Sequence, residues 1–156
     1  MKIIDLINKK YNEWLEEQVE YYRDKYKFAD ETTSHNNKSD AFKHAFSSAK
    51  LTMWLGSTLS EVITNNHEWN NLKNEAPVEE SLMDLHNNLM GRLLGRLLGH
   101  KPSLWFSNDK LALTIIDSFD DLICSLDDDR IKSLKEGKYK SMLSKQDAAK
   151  LEKYLH

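Results

Sequence analysis

Apolar residues recur every three or four positions along most of this chain, with charged or amide-bearing residues between them. That pattern belongs to helices that bury one face. Ile4, Ile7, Tyr11, Trp14, Leu15, Val19 and Tyr22 predict one long amphipathic helix over about residues 2–28. From Asp30 to Lys38 the sequence is polar and unpatterned, which predicts a mobile loop. A second helix is expected from about Ser39 to Leu55, with Phe42, Ala45, Phe46, Ala49 and Met53 inward and Gly56 closing it. A shorter third helix from Thr58 to about Asn66 should fray near His67, and Asn70 to Ala76 reads as a polar connection.

The fourth segment differs from the rest. Pro77 suits a first helical turn, Glu79 and Glu80 favour its positive end, and Pro102 stops continuation beyond about His100. Leu82, His86, Leu89, Met90, Leu93 and Leu97 share a wide apolar face, while Asp84, Asn88, Gly91, Gly95 and Gly99 form a narrow stripe behind it. Each glycine costs a helix roughly 1 kcal/mol against alanine. The stripe therefore predicts a neighbouring backbone at very short range, or a ligand lying in the groove. A fifth helix beginning near Ser107 carries Leu111, Ile115, Ile116, Phe119, Leu122 and Ile123 inward. The acidic run Asp127–Asp129 at its end lacks the glycine and alternating carboxylates of a calcium loop and reads as solvated surface. Ser144 and Asp147 cap a last helix carrying Ala148, Leu151 and Tyr154. No strand signal competes. The expected fold is all-α: residues 1–156 as a single-domain bundle of about five to six helices around a buried central helix at about 77–100, with a motif-bearing core at about 39–100.

Composition narrows the class. A chain of 156 residues, 40% hydrophobic and 30% charged, can build one core without a disulfide staple. The net charge of −3 gives no global attraction to phosphate backbones or anionic lipid, so nucleic-acid binding would need a local basic patch. The N-terminus reaches Asp5 too soon for a signal peptide, and no apolar run approaches the roughly 18 residues of a membrane span. A cytoplasmic protein where it is made is expected. Delivery by a dedicated secretion system or a phage would leave no mark in such a sequence. The single cysteine, Cys124, sits among Leu122, Ile123 and Leu126 with acids nearby, which suits a small buried hydrophobe better than a thiolate nucleophile.

The candidate chemistry lies in three polar clusters that hold half of the six histidines. Asp40 and His44, four apart on a helix, can touch, and a carboxylate so placed fixes the imidazole as a base or a metal ligand. His67 and Glu68 are adjacent, and would reach one site together only if the helix ends there. Asp84, His86, Asn87, Asn88 and Arg92 put acid, imidazole, amides and guanidinium on a helix where amides are indifferent formers, which suggests a hydrogen-bond network or a ligand. His44, His67, Glu68, Asp84 and His86 are candidate ligands for a divalent metal, zinc or similar, with an open position to activate water. Without metal, Asp40 with His44 could act as base while Arg92 and the amides hold developing negative charge.

Read together, Ser-Asp-Ala-Phe-Lys-His-Ala-Phe at 39–46, His-Glu at 67–68 and Met-Asp-Leu-His-Asn-Asn-Leu-Met-Gly-Arg-Leu-Leu-Gly at 83–95 resemble a family of small helical domains. The family is of unassigned function and is found at the C-terminal ends of bacterial polymorphic toxins and as standalone proteins. The resemblance covers about residues 39–99 and, more loosely, the helix after Ser107. It implies an effector or toxin-type enzyme with Asp40, His44, His67, Glu68, Asp84, His86, Asn87, Asn88 and Arg92 as its active site. Lys43, where arginine is common, and Ser47, where a bulkier aromatic is common, depart from the usual form.

The leading expectation is a metal-assisted hydrolase of a phosphoester or other ester. A second is a non-enzymatic phage or bacterial inhibitor whose polar clusters form a buried structural network. A third is a lipid or envelope-precursor hydrolase that touches a bilayer through Leu104, Trp105 and Phe106. The partners so implied are a small or lipid-like substrate and a target or immunity protein.

Overall fold

The structure is a computed structural model that describes residues 1–104 and 107–155, without the side chain of Leu104. Trp105 and Phe106, two of the three residues expected to touch a bilayer, lie outside the described residues. Seven α-helices follow in order: α1 (Ile3–Tyr26), α2 (Lys38–Leu55), α3 (Ser57–Lys73), α4 (Val78–Leu98), α5 (Asn108–Asp117), α6 (Asp129–Lys135) and α7 (Lys145–Glu152). Short 3-10 turns stand at Pro102–Leu104, Phe119–Asp121 and Lys138–Ser141. No strand occurs among the described residues, so the fold is all-α as the periodicity predicts.

The centre of the bundle is the pair α2 and α4, which run side by side in the same direction. Gly91 lies on Ala45 and Gly95 on Ala49, so the glycine stripe marks a helix approach too close for a Cβ. α3 returns antiparallel between them: Ser60 Oγ donates to the Ser48 carbonyl and Arg92 reaches Thr64. α1 crosses α2 antiparallel, joined by Tyr11 Oη to Ser47 Oγ at 2.7 Å and by the tilted ring pairs Trp14–Phe46 and Trp14–Trp54. One apolar core gathers Tyr22, Phe28, Phe42 and Phe46 with Leu111 and Ile115 of α5. A second forms where Leu82, Met83 and Leu85 meet Trp69, Ile131, Leu134 and Leu151.

Several boundaries differ from the sequence reading. α3 does not fray at His67 but continues to Lys73, because Trp69 and Leu72 keep the buried face in period through the polar run. The connection shrinks to residues 74–77, and Pro77 caps α4 from outside the helix. α5 stops at Asp117, and Leu122 and Ile123 are buried from a non-helical segment that Asn87 holds. The acidic run is more than solvated surface: Asp128 accepts from the Arg130 amide and starts α6, which adds a helix to the five or six expected. In α1, Ile4 and Ile7 are 63% and 60% exposed and take no part in the core.

Candidate metal centre

Asn37 caps α2 by accepting from the Asp40 amide, which places Asp40 in the first turn with His44 one turn on. The parallel register then brings Asp84 and Asn88 of α4 opposite them. His44 Nε2 lies 3.3 Å from Asp84 Oδ1 and 3.6 Å from Asp40 Oδ1. The three side chains can offer ligand atoms all within 4.8 Å of one another. His44 Nδ1 stands 3.0 Å from Asn88 Oδ1, which also accepts from Ser48 Oγ. Asn88 thus anchors the ring at Nδ1, and Nε2 is turned toward the two carboxylates.

Glu68 enters from α3 with no exposed surface. Burial first, and then the charge of Asp84, hold its carboxyl well above the ordinary carboxylate range. Asp84 is pushed up to about 6 by burial, against the pull of His44. Each carboxyl therefore disfavours ionisation of the other. Asn71 eases the Glu68 charge slightly but makes no bond of good geometry. The deficit is concentrated here. Among the described residues nine buried side-chain atoms lack a hydrogen-bond partner, and seven belong to Asn65, Glu68, Ser81, Asp84 and Asn88 on the facing stretches of α3 and α4. Native interiors leave few such groups, and a cluster of them marks an ion or water site.

Helix α3 runs straight through His67 and Glu68, so the two diverge: Glu68 points into the bundle and His67 is exposed. His67 still feels the centre. Partial burial and the charges of His44 and Lys43 pull its imidazole below the usual range.

His86, Asn87 and Arg92 lie elsewhere. His86 Nε2 bonds the Asp121 carbonyl at 2.8 Å, and Asn87 exchanges two 2.8 Å bonds with the backbone of Ile123. Consecutive helix positions diverge by about 100°, so these two face the 119–123 segment while Asp84 and Asn88 face α2 and α3. Burial lowers His86 below the usual imidazole range. Arg92, 3% exposed and also pulled down by burial, takes Thr64 Oγ1 at 3.4 Å as its partner, roughly 12 Å of helix rise beyond Asp84. The structure thus unites Asp40, His44, Glu68, Asp84 and Asn88, sets His67 at their edge, and gives His86 and Asn87 a tethering task.

Three contributors were not read from sequence as part of the site. The Asn36 amide donates to Asp40 Oδ2 at 2.8 Å from a left-handed backbone at φ 52°. Lys43 Nζ reaches Asp40 Oδ1, Glu16 and the Ser34 carbonyl at 3.3, 3.2 and 3.3 Å. Ser48 orients Asn88. The loop expected to be mobile is in fact tied over the centre, with Asn36 Nδ2 bonded to Glu80 and the Ser39 amide to Glu31.

Residues 10–116 match a family described as a domain of unknown function (DUF6973). The chain belongs to that family. The match runs from within α1 through nearly all of α5, so every residue of the centre lies inside the DUF6973 region, and the first two turns of α1, α6 and α7 lie outside it. No solved structure matches the chain.

Proposed function

We propose that this DUF6973 domain is a divalent-metal-dependent hydrolase of a phosphoester or other ester, with Asp40, His44 and Asp84 as its metal ligands. The observation that carries the reading is the convergence of His44 Nε2 with two buried carboxylates, their ligand atoms all within 4.8 Å of one another. Two carboxylates and one imidazole balance the charge of a divalent ion and suit zinc or manganese. Held by these three side chains, such an ion would supply an acidified water as nucleophile toward phosphorus or a carbonyl carbon, with the leaving oxygen needing a proton. His67 at the exposed edge is the candidate proton carrier, and Glu68 positions Asp84. The resemblance to toxin-associated domains supports an effector role for such an activity.

The test is metal analysis of protein purified without chelator, with zinc and manganese titrations by calorimetry and assays on phosphodiester, phosphomonoester and carboxylester substrates. One bound metal, lost in His44→Ala and Asp84→Asn together with turnover, is the expected result. A protein that binds neither metal, turns nothing over and merely melts earlier as His44→Ala would refute the reading in favour of a non-enzymatic inhibitor with a structural network.

A further inference from the structure

The end of the bundle opposite the candidate metal centre carries an apolar surface that no described residue covers. The antiparallel packing of α1 and α3 on the parallel pair α2 and α4 brings the first turns of α1 and α3 and the last turns of α2 and α4 together there. Among the described residues, most of the exposed large apolar side chains lie in these turns. Ile3, Ile4 and Ile7 of α1 are 60–79% exposed, Val62 of α3 is 62% exposed and Leu97 of α4 is 63% exposed. Trp54 and Leu59 stand among them at 43% and 53%.

The first turns of α1 also lie open, every residue from 1 to 10 being exposed. Ile3, Ile4, Leu6 and Ile7 occupy one side of this stretch, with Asp5, Asn8 and Lys9 on the other.

Charge selects the occupant. The segments 1–13, 54–63 and 93–101 that build this end hold five basic residues, Lys2, Lys9, Lys10, Arg96 and Lys101, against three acidic ones, Asp5, Glu13 and Glu61. All five basic side chains are exposed. This end therefore carries two net positive charges, although the whole chain is acidic at −3. Apolar residues ringed by lysine and arginine are what an anionic lipid surface recognises, the apolar groups entering the headgroup boundary to about 5–10 Å. No helix of the described residues is long and apolar enough to cross a membrane, which leaves attachment at the surface.

We propose that this end docks the domain on an anionic bilayer surface, with the first two turns of α1 as the inserted element. The metal centre would then face away from the membrane, and the proposal is independent of what that centre does. The test is co-sedimentation of the full chain with vesicles of phosphatidylglycerol and phosphatidylcholine, beside vesicles of phosphatidylcholine alone. Binding to the anionic vesicles that weakens in high salt is expected. Ile4→Asp combined with Ile7→Asp, and separately Leu97→Asp, should each weaken it about tenfold or more, since each removes apolar surface from the contact. Both changes are at exposed positions, so the melting temperature should be retained. No binding, binding indifferent to lipid charge, or binding that survives both variants would overturn the proposal. So would a dimer in sedimentation equilibrium that Ile4→Asp with Ile7→Asp dissolves, since a second copy would then be the occupant.

Discussion

Replacing Gly91 with alanine tests the packing on which the whole centre rests. A Cβ at this position would stand 2.8 Å from Ala45 Cα and 2.9 Å from its carbonyl carbon, with the carbonyl oxygen closer still. Carbon atoms in contact settle at about 3.5–4.0 Å, so α2 and α4 must part by roughly 1 Å. The obstructing atoms are backbone and no rotamer relieves them. Alanine gains about 1 kcal/mol in helix propensity. Overpacking costs about 1–3 kcal/mol, and a backbone-on-backbone clash belongs at or above the upper end of that range. The net loss is about 2 kcal/mol, or a fall in Tm of about 4–8 °C for a chain of this size. Thermal melts followed by circular dichroism should show it, with Leu93→Ala, on the same helix but 46% exposed, moving Tm by less than about 2 °C. A Gly91→Ala protein that melts at or above the wild-type temperature would refute the close approach and the register built on it. Because His44 precedes Ala45 and Asn88 lies one turn before Gly91, the same variant should also lengthen the His44–Asn88 bond and weaken metal binding in calorimetry.

Other outcomes follow from the same geometry. Asn87→Ala removes two buried bonds to Ile123 and should cost about 2–4 kcal/mol in urea unfolding, while metal stoichiometry stays at the wild-type value; loss of metal with unchanged stability would show that Asn87 belongs to the centre. The Asp84 carboxyl, raised to about 6 from an ordinary 3.8, holds its proton more tightly folded than unfolded. Its contribution is therefore fully present below about pH 4 and is lost as pH rises through 6, about 3 kcal/mol in metal-free protein. Glu68→Gln removes the neighbouring acid and should raise the metal-free Tm at pH 8 and flatten the pH 5–8 profile; an unaltered profile would disprove the coupling of the two carboxyls.

The helical character of this chain was legible because its apolar period is regular, and the glycine stripe announced a close neighbour through the penalty it carries. The centre was legible in part. Asp40, His44, Asp84 and Asn88 stood out as polar residues in apolar helices, and the fold brings them together. His86 and Asn87 stood out for the same reason, but sequence does not distinguish an amide that faces a ligand from one that pairs with a peptide group of the next segment. Only the direction of each side chain separates Asn87 from Asn88. Lys43 and Ser48 were passed over because a lysine and a serine on a helix are unremarkable until their partners are known. The α3 boundary was missed because Asn65, Asn66, Asn70 and Asn71 read as breakers, whereas Trp69 and Leu72 outweigh them through burial.

Two helices that point the same way cannot be joined by a tight turn, so the chain must travel back the full height of the bundle before α4 begins. That return leg is α3, and it delivers Glu68 to the centre on its way. Residues 74–77, where the chain turns round, can lengthen or shorten without moving any ligand, whereas one residue added between Asp84 and Gly91 would swing the acid off its partner by about 100°. Distance along the sequence is therefore elastic between the motifs and rigid within them. Distant relatives are best sought by the internal spacing of each helix, with the gap between them left open.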